Sequence, residues 1–402
     1  MKSAAAAVEP IRRIDPAALS APPAVDRLRF LALVAGAAGI VALIIGLIAQ
    51  PAYFFRSYLV GWVFWTGVAL GSLVLVMVNH MTRGAWGVAA RRVLEAATRT
   101  LPWMLLLFLP IAFGMDSLYP WTDTAHHDEI LQQKAAYLNQ PAFFVRLVIY
   151  FAVWLFLMFA INRFSERQDR EANPDLITRV KRIAGPGIVL WGLCVTFAAV
   201  DWLMSLEPHW FSTIYGVWLM GSMGLSALAF LIVFSAWLWQ REPMNAVLRP
   251  GHFHDWGKLM FAFTMLWAYF SFSQFLIIWA GNLPEEITWY KHRISHGWGV
   301  IALVIVLFHF ALPFLLLLSR DLKRNPRMVA WVAGLMIFMR LVDLVWQVEP
   351  GFKDQIPAFY WMYAAAPLAI GGIWLWLFLG ELKKRPLLPV NDPYLPEALA
   401  HE

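Results

Sequence analysis

The chain has 402 residues, of which 60% are hydrophobic and only 14% charged, with a formal charge of +6. Soluble domains carry about 25% charged residues, so this composition excludes a soluble enzyme, a disordered chain and a nucleic-acid-binding module. The 22 tryptophans fit a membrane protein, because indole rings gather at the water–lipid interfaces. The one cysteine, Cys194, leaves no disulfide, no cysteine-ligated iron–sulfur cluster and no covalent haem attachment. A haem held by histidines would have only His309, and His80 near a segment end, to draw on.

In chain order, residues 1–27 contain Pro10, Pro16, Pro22 and Pro23 and no apolar run. They read as an N-terminal arm, disordered or docked on a partner. Ten apolar segments follow, at 28–48, 58–80, 101–117, 142–163, 185–206, 213–239, 256–281, 295–318, 328–347 and 358–380. A membrane span needs about 20 such residues. The sequence therefore predicts an all-α, polytopic membrane protein with ten transmembrane helices. The loops on one side carry 24 Lys and Arg; the other side has six, Arg56, Lys134, Arg146, Lys291, Arg293 and Lys353. By the positive-inside rule both termini are cytoplasmic.

The chain also repeats itself. The fifth span ends with Asp201 and Glu207-Pro208, and the ninth with Asp343 and Glu349-Pro350. The second span (Tyr58, Gly61, Trp62, Gly67) and the sixth (Tyr215, Gly216, Trp218, Gly221) open alike. Four helices separate the copies, an even number, so they share one topology. This predicts two four-helix bundles, 58–212 (spans 2–5) and 213–357 (spans 6–9). A flanking first helix (28–57) and a last helix with a cytoplasmic tail (358–402) complete the division.

An ionisable group inside a bilayer needs a reason to be there. Arg340, Asp343 and Gln347 fall on one stripe of the ninth span, so Arg340 and Asp343 can pair. Either they fix the packing or they carry protons. The repeated acid Asp201 favours the proton pathway. Glu207 and Glu349 end their helices before proline, and the helix dipole there predicts pKa values shifted upward. His309 lies four residues before Pro313, which cannot bond its carbonyl and so opens a polar point in the eighth span. Tyr269, Ser271, Ser273 and Gln274 can extend a wire toward Asn282, with Tyr269 and Ser273 on one face and Ser271 on another. Asp116 and Arg146 offer a second pair at the outer edge. Gly67 and Gly71 read as a helix-packing motif. His126-His127 and His252-Phe-His254 lack further ligands at useful spacing and read as loop histidines.

Two stretches are distinctive: DWLMSLEPHWFSTIYGVW, from Asp201 to Trp218, and FSQFLIIWAGNLPEEITWY, from Phe272 to Tyr290. With the order of spans, they resemble the ActF-type subunit of bacterial alternative complex III, within the NrfD-like, polysulfide-reductase-type membrane family. The resemblance covers residues 28–380. It implies a quinol:electron-acceptor oxidoreductase with two related bundles, in which haem and iron–sulfur centres belong to partner subunits. Those partners would be an iron–sulfur subunit, multihaem cytochrome c subunits and a paralogous membrane subunit beside which quinol is oxidised. The type resembled here is the structural or proton-conducting one. Asp201, Glu207, Arg340, Asp343, Glu349, His309, Tyr269, Asp116 and Arg146 are then its proton-pathway candidates. Two alternatives stay open: a quinol site in this chain, with a quinone near His296, or a secondary transporter.

Overall fold

The computed structural model describes residues 19–82, 84–123, 128–171, 173–352 and 360–400. Among them there is no strand, and ten helices are long and apolar enough to cross a membrane. They are α1 (Ala24–Ala49), α2 (Pro51–Thr82), α3 (Arg91–Phe113), α4 (Gln140–Glu171), α5 (Pro174–Trp202), α6 (Tyr215–Leu238), α7 (Pro250–Gly281), α8 (Trp298–Leu318), α9 (Pro326–Val348) and α10 (Met362–Lys383). The chain is an all-α, multi-pass membrane protein. Residues 1–18 of the expected arm, Lys353 and His126-His127 lie outside the described residues.

Several boundaries differ from those read off hydropathy. The basic stretch 163–184, expected as a loop, continues α4 and α5, because Arg, Lys, Glu and Gln are good helix formers wherever they leave the lipid. The chain breaks only near Asn173, whose side chain accepts from the Asp175 amide and caps α5 ahead of Pro174. Likewise Arg91 and Arg92, expected in a loop, belong to α3. Within α3 a new helical segment starts at Pro102 and another at Pro110, since each proline suits the first turn of a helix. A further helix went unread: Pro284–Ile294, with Glu285 and Glu286 in its first turn and Lys291, His292 and Arg293 in its last. That polarity matches the helix dipole.

The helices α2 to α5 close one ring and α6 to α9 another, and α2 lies against α6 at the seam. These two are the most deeply buried spans. Their contact is backbone to backbone: a Cβ added to Gly71 would stand 2.1 Å from the Met223 carbonyl oxygen. The Gly67 and Gly71 pair is a packing device, as its spacing predicts. The flanking helices use the same chemistry. A Cβ on Gly39 of α1 would lie 2.5 Å from the Ala369 nitrogen of α10, and small residues of this kind let membrane helices approach closely.

An even number of spans brings the two described ends of the chain together. The Leu387 amide donates to the Leu19 carbonyl at 2.8 Å, so residues 19–23, assigned to the arm by sequence, are packed in place. Beyond α10 the chain runs beneath this basic end of both bundles. Asp392 pairs with buried Arg91 of α3, which also donates to Asn79 of α2 at 3.2 Å. Gln168 of α4 donates to the Asn391 carbonyl at 2.8 Å. His252, expected as a loop histidine, is buried in the first turn of α7. Its Nδ1 accepts from the Arg249 amide and its Nε2 donates to the Ala398 carbonyl at 2.9 Å.

Candidate functional site

The α9 stripe forms as its spacing requires. Arg340, Asp343 and Gln347 are all buried, and Arg340 Nη1 pairs with Asp343 Oδ2. The same oxygen accepts from Gln347 Nε2 at 3.0 Å, and Gln347 Oε1 in turn accepts from the Tyr215 hydroxyl of α6 at 3.2 Å. The second oxygen, Asp343 Oδ1, makes no hydrogen bond of good geometry, and the Trp267 indole is the polar group beside the carboxylate. An unmet acceptor on a buried carboxylate carries the desolvation cost of that group.

Asp343 lines a cleft of about 600 Å³ between α6, α7, α8, α9 and the Pro284–Ile294 helix. Its walls are almost wholly apolar and aromatic, with Trp218, Trp267, Phe275, Tyr290 and Trp346 among them. At its mouth Tyr269, Phe272, Ile294 and Val306 are exposed on the outer surface of the spans, where lipid would stand. The Ser271 hydroxyl, which also lines the cleft, is buried without a partner. The cleft thus joins a lipid-accessible entrance to two open polar groups at depth.

The wall carrying His309 is locally irregular. Val306–Ala311 forms a π-helical turn just ahead of Pro313, in line with the freed carbonyl read from the sequence. The turn carries His309 inward, where its ring packs on Trp267 with centroids 4.3 Å apart. Both ring nitrogens lack hydrogen-bond partners. His309 therefore stands beside the cleft wall, bonded to nothing that would link it into a wire.

The first bundle treats its acid differently. Arg146 of α4 grips Asp201 with two bonds, Nε to Oδ2 and Nη2 to Oδ1, each 2.9 Å. The Tyr150 hydroxyl adds a third at 2.8 Å. A bidentate guanidinium is the strongest partner a carboxylate finds among side chains, and Asp201 is left no open oxygen. The expected Asp116–Arg146 pair does not form. Asp116 lies at the exposed edge and accepts from Gln140 at 3.3 Å instead, since Arg146, two turns into α4, faces the bundle interior.

The two terminal glutamates also find arginines. Glu207 binds Arg293 of the Pro284–Ile294 helix at 2.7 Å, with His292 Nδ1 at 3.4 Å. Burial pushes Glu207 up, but the Arg293 charge and the bonds from His292 and Arg293 together hold its pKa below the usual carboxylate range. This reverses the upward shift expected from the helix end: a guanidinium in contact outweighs the fractional charge of a helix dipole. Glu349 pairs with Arg56 of α2 at 3.3 Å and accepts from the Tyr363 hydroxyl of α10.

Two further sequence assignments are redrawn. Tyr269 and Ser273 form no wire toward Asn282: Tyr269 is exposed at the cleft mouth, and Gln274 is bonded to Ser212 at 2.6 Å. His296 is exposed in a turn with φ of 50° and does not line the cleft, which Ile294 and Tyr290 reach instead. Tyr215, Tyr290, Arg293 and Trp346 were missed as site residues. The charge polarity of Pro284–Ile294 was the one signal that could have found Tyr290 and Arg293. Of the six cations on the sparsely basic side, Arg56, Arg146 and Arg293 each hold one acid of the repeat. Among the described residues no cluster of three or more His, Cys, Asp or Glu could hold a metal ion. No protein-family model matches this chain, and no curated protein matches it either.

Proposed function

We propose that this chain is an integral membrane subunit of a quinol:electron-acceptor oxidoreductase of the alternative complex III type, and that its second bundle handles protons. In this reading the haem and iron–sulfur centres sit in partner subunits, and the basic end faces the cytoplasm of a bacterial cell. The observation that carries it is Asp343: a buried carboxylate in the outer half of α9 with one oxygen engaged by Arg340 and Gln347 and the other open toward a cleft. The paired oxygen holds the group in place, and the free one is where a proton arrives. In the assembly reconstituted into vesicles, Asp343→Asn abolishes the proton movement that accompanies quinol oxidation and leaves electron transfer running. An unchanged proton stoichiometry would overturn the assignment.

The cleft itself favours a second reading, in which quinol binds in this chain. Its aromatic walls, lipid-side mouth and polar floor suit a planar, lipid-soluble ring bearing hydroxyls. Oxidation of a quinol releases two protons and two electrons; Asp343 takes one proton, the second passes to water, and the two electrons leave for redox centres of the partner subunits. A photoreactive quinone analogue then labels segments of α7 and α8. Labelling confined to a paralogous membrane subunit excludes this second reading while leaving the first intact.

A further inference from the structure

At the opposite end of the protein from the Asp343 cleft, a groove of about 650 Å³ opens along the basic end of α4, lined by Arg99, Phe159, Asn162, Arg163, Glu166 and Arg167, with Arg170 at its rim. Its only acid, Glu166, is already shared by two arginines: Arg99 Nη2 lies 2.7 Å away, and Arg385 pairs with it from beyond α10. Arg99 is further fixed by Asn162 Oδ1 at 3.1 Å. Arg163, Arg167 and Arg170 form no ion pair among the described residues and stand within two turns of one another. One carboxylate against five guanidiniums leaves a strongly positive, concave surface.

One turn below this surface the chemistry inverts. Phe159 lines the groove and is 58% exposed, and Phe156, 64% exposed, continues the same side of α4 into the span. An occupant must therefore offer anionic oxygens at the membrane edge and hydrocarbon beneath them. We infer that this groove binds an anionic phospholipid, with its headgroup phosphate among Arg163, Arg167 and Arg170 and an acyl chain along Phe159 and Phe156. Guanidiniums bond phosphate oxygens in pairs, and basic pockets between membrane helices suit such headgroups. Arg99 and Arg385, tied to Glu166, form the back of the site, and the three unpaired arginines form its front.

The test uses the full chain in nanodiscs of zwitterionic lipid doped with phosphatidylglycerol or cardiolipin, with retained lipid counted by native mass spectrometry after detergent release. Wild type retains the anionic lipid selectively. In R163Q/R167Q/R170Q, retention falls on the order of tenfold or more, while R163K/R167K/R170K keeps most of it. The melting temperature of each variant confirms that the fold is intact. Loss of the lipid on adding millimolar inorganic phosphate reassigns the groove to a free anion and overturns the proposal. Equal retention by wild type and the glutamine variant overturns it as well. So does loss of a co-purifying subunit in place of lipid, which assigns the arginines to a protein interface.

Discussion

Asp201 and Asp343 stand at the same step of the two repeats, six residues ahead of a Glu-Pro pair, yet only Asp343 keeps a carboxylate oxygen without a hydrogen bond of good geometry. The difference lies in where each arginine comes from. Arg146 approaches Asp201 from a neighbouring helix and spans both oxygens. Arg340, one turn back on the same helix, reaches only one oxygen of Asp343. One repeat thus uses its acid as a rivet, and the other keeps half of it free. This asymmetry is the reason proton handling is proposed for the second bundle.

The two acids separate in a paired experiment. Asp201→Ala leaves the half-buried Arg146 without its carboxylate and costs about 1–3 kcal/mol, read as a lower melting temperature in detergent. The protein that remains folded keeps its proton activity. Asp343→Asn retains an amide for Arg340 and Gln347, loses less stability, and loses proton transfer.

Acid loosens the far end of the protein. The folded pKa of Glu207 lies below its ordinary 4.5, so its pairing with Arg293 contributes fully above pH 4.5 and is lost as pH falls through the depressed value. Hydrogen exchange in Pro284–Ile294 rises in that window in wild type. In Glu207→Gln the exchange is already raised at neutral pH and changes little on acidification.

Gly71→Ala forces α2 and α6 apart and costs about 1–3 kcal/mol by overpacking, because the new methyl would meet a carbonyl oxygen rather than a yielding side chain. Gly334→Ala on α9 is the control. Nothing lies within 4 Å of its Cβ position, and the melting temperature there holds or rises.

Filling the cleft isolates its role from that of Asp343. Val306, 53% exposed at the mouth, touches none of the polar groups of the α9 stripe. Val306→Trp occupies the entrance and leaves the melting temperature near wild type. Under the quinol-binding reading it abolishes labelling by a photoreactive quinone. Undiminished labelling would place the quinone elsewhere.

The spans, the repeat and the α9 stripe were legible because each rests on local chemistry: hydropathy over about 20 residues, and spacings of three and four on one helix. The pairing of Arg340 with Asp343 belongs to that class. The partners of Asp201, Glu207 and Glu349 do not. They lie 55, 86 and 293 positions away, and no periodicity reports which helices become neighbours. A sparse signal did exist, since Arg56, Arg146 and Arg293 stand on the side where cations are scarce. The cleft was illegible for the same reason: five separate elements contribute its walls, and an aromatic facing a void reads in sequence like an aromatic facing a neighbour.

The segment that crosses the basic end after α10 imposes an order on synthesis. Arg91 is committed to its buried position on α3 some three hundred residues before its partner Asp392 is made, and His252 likewise waits for the carbonyl of Ala398. All ten helices can therefore enter the membrane one after another while both bundles still lack their closing contacts. The latches of both bundles thus wait on residues made after the tenth helix. A chain truncated after Lys384 would hold all ten helices without these latches, and protease access to Arg91 would tell the two states apart.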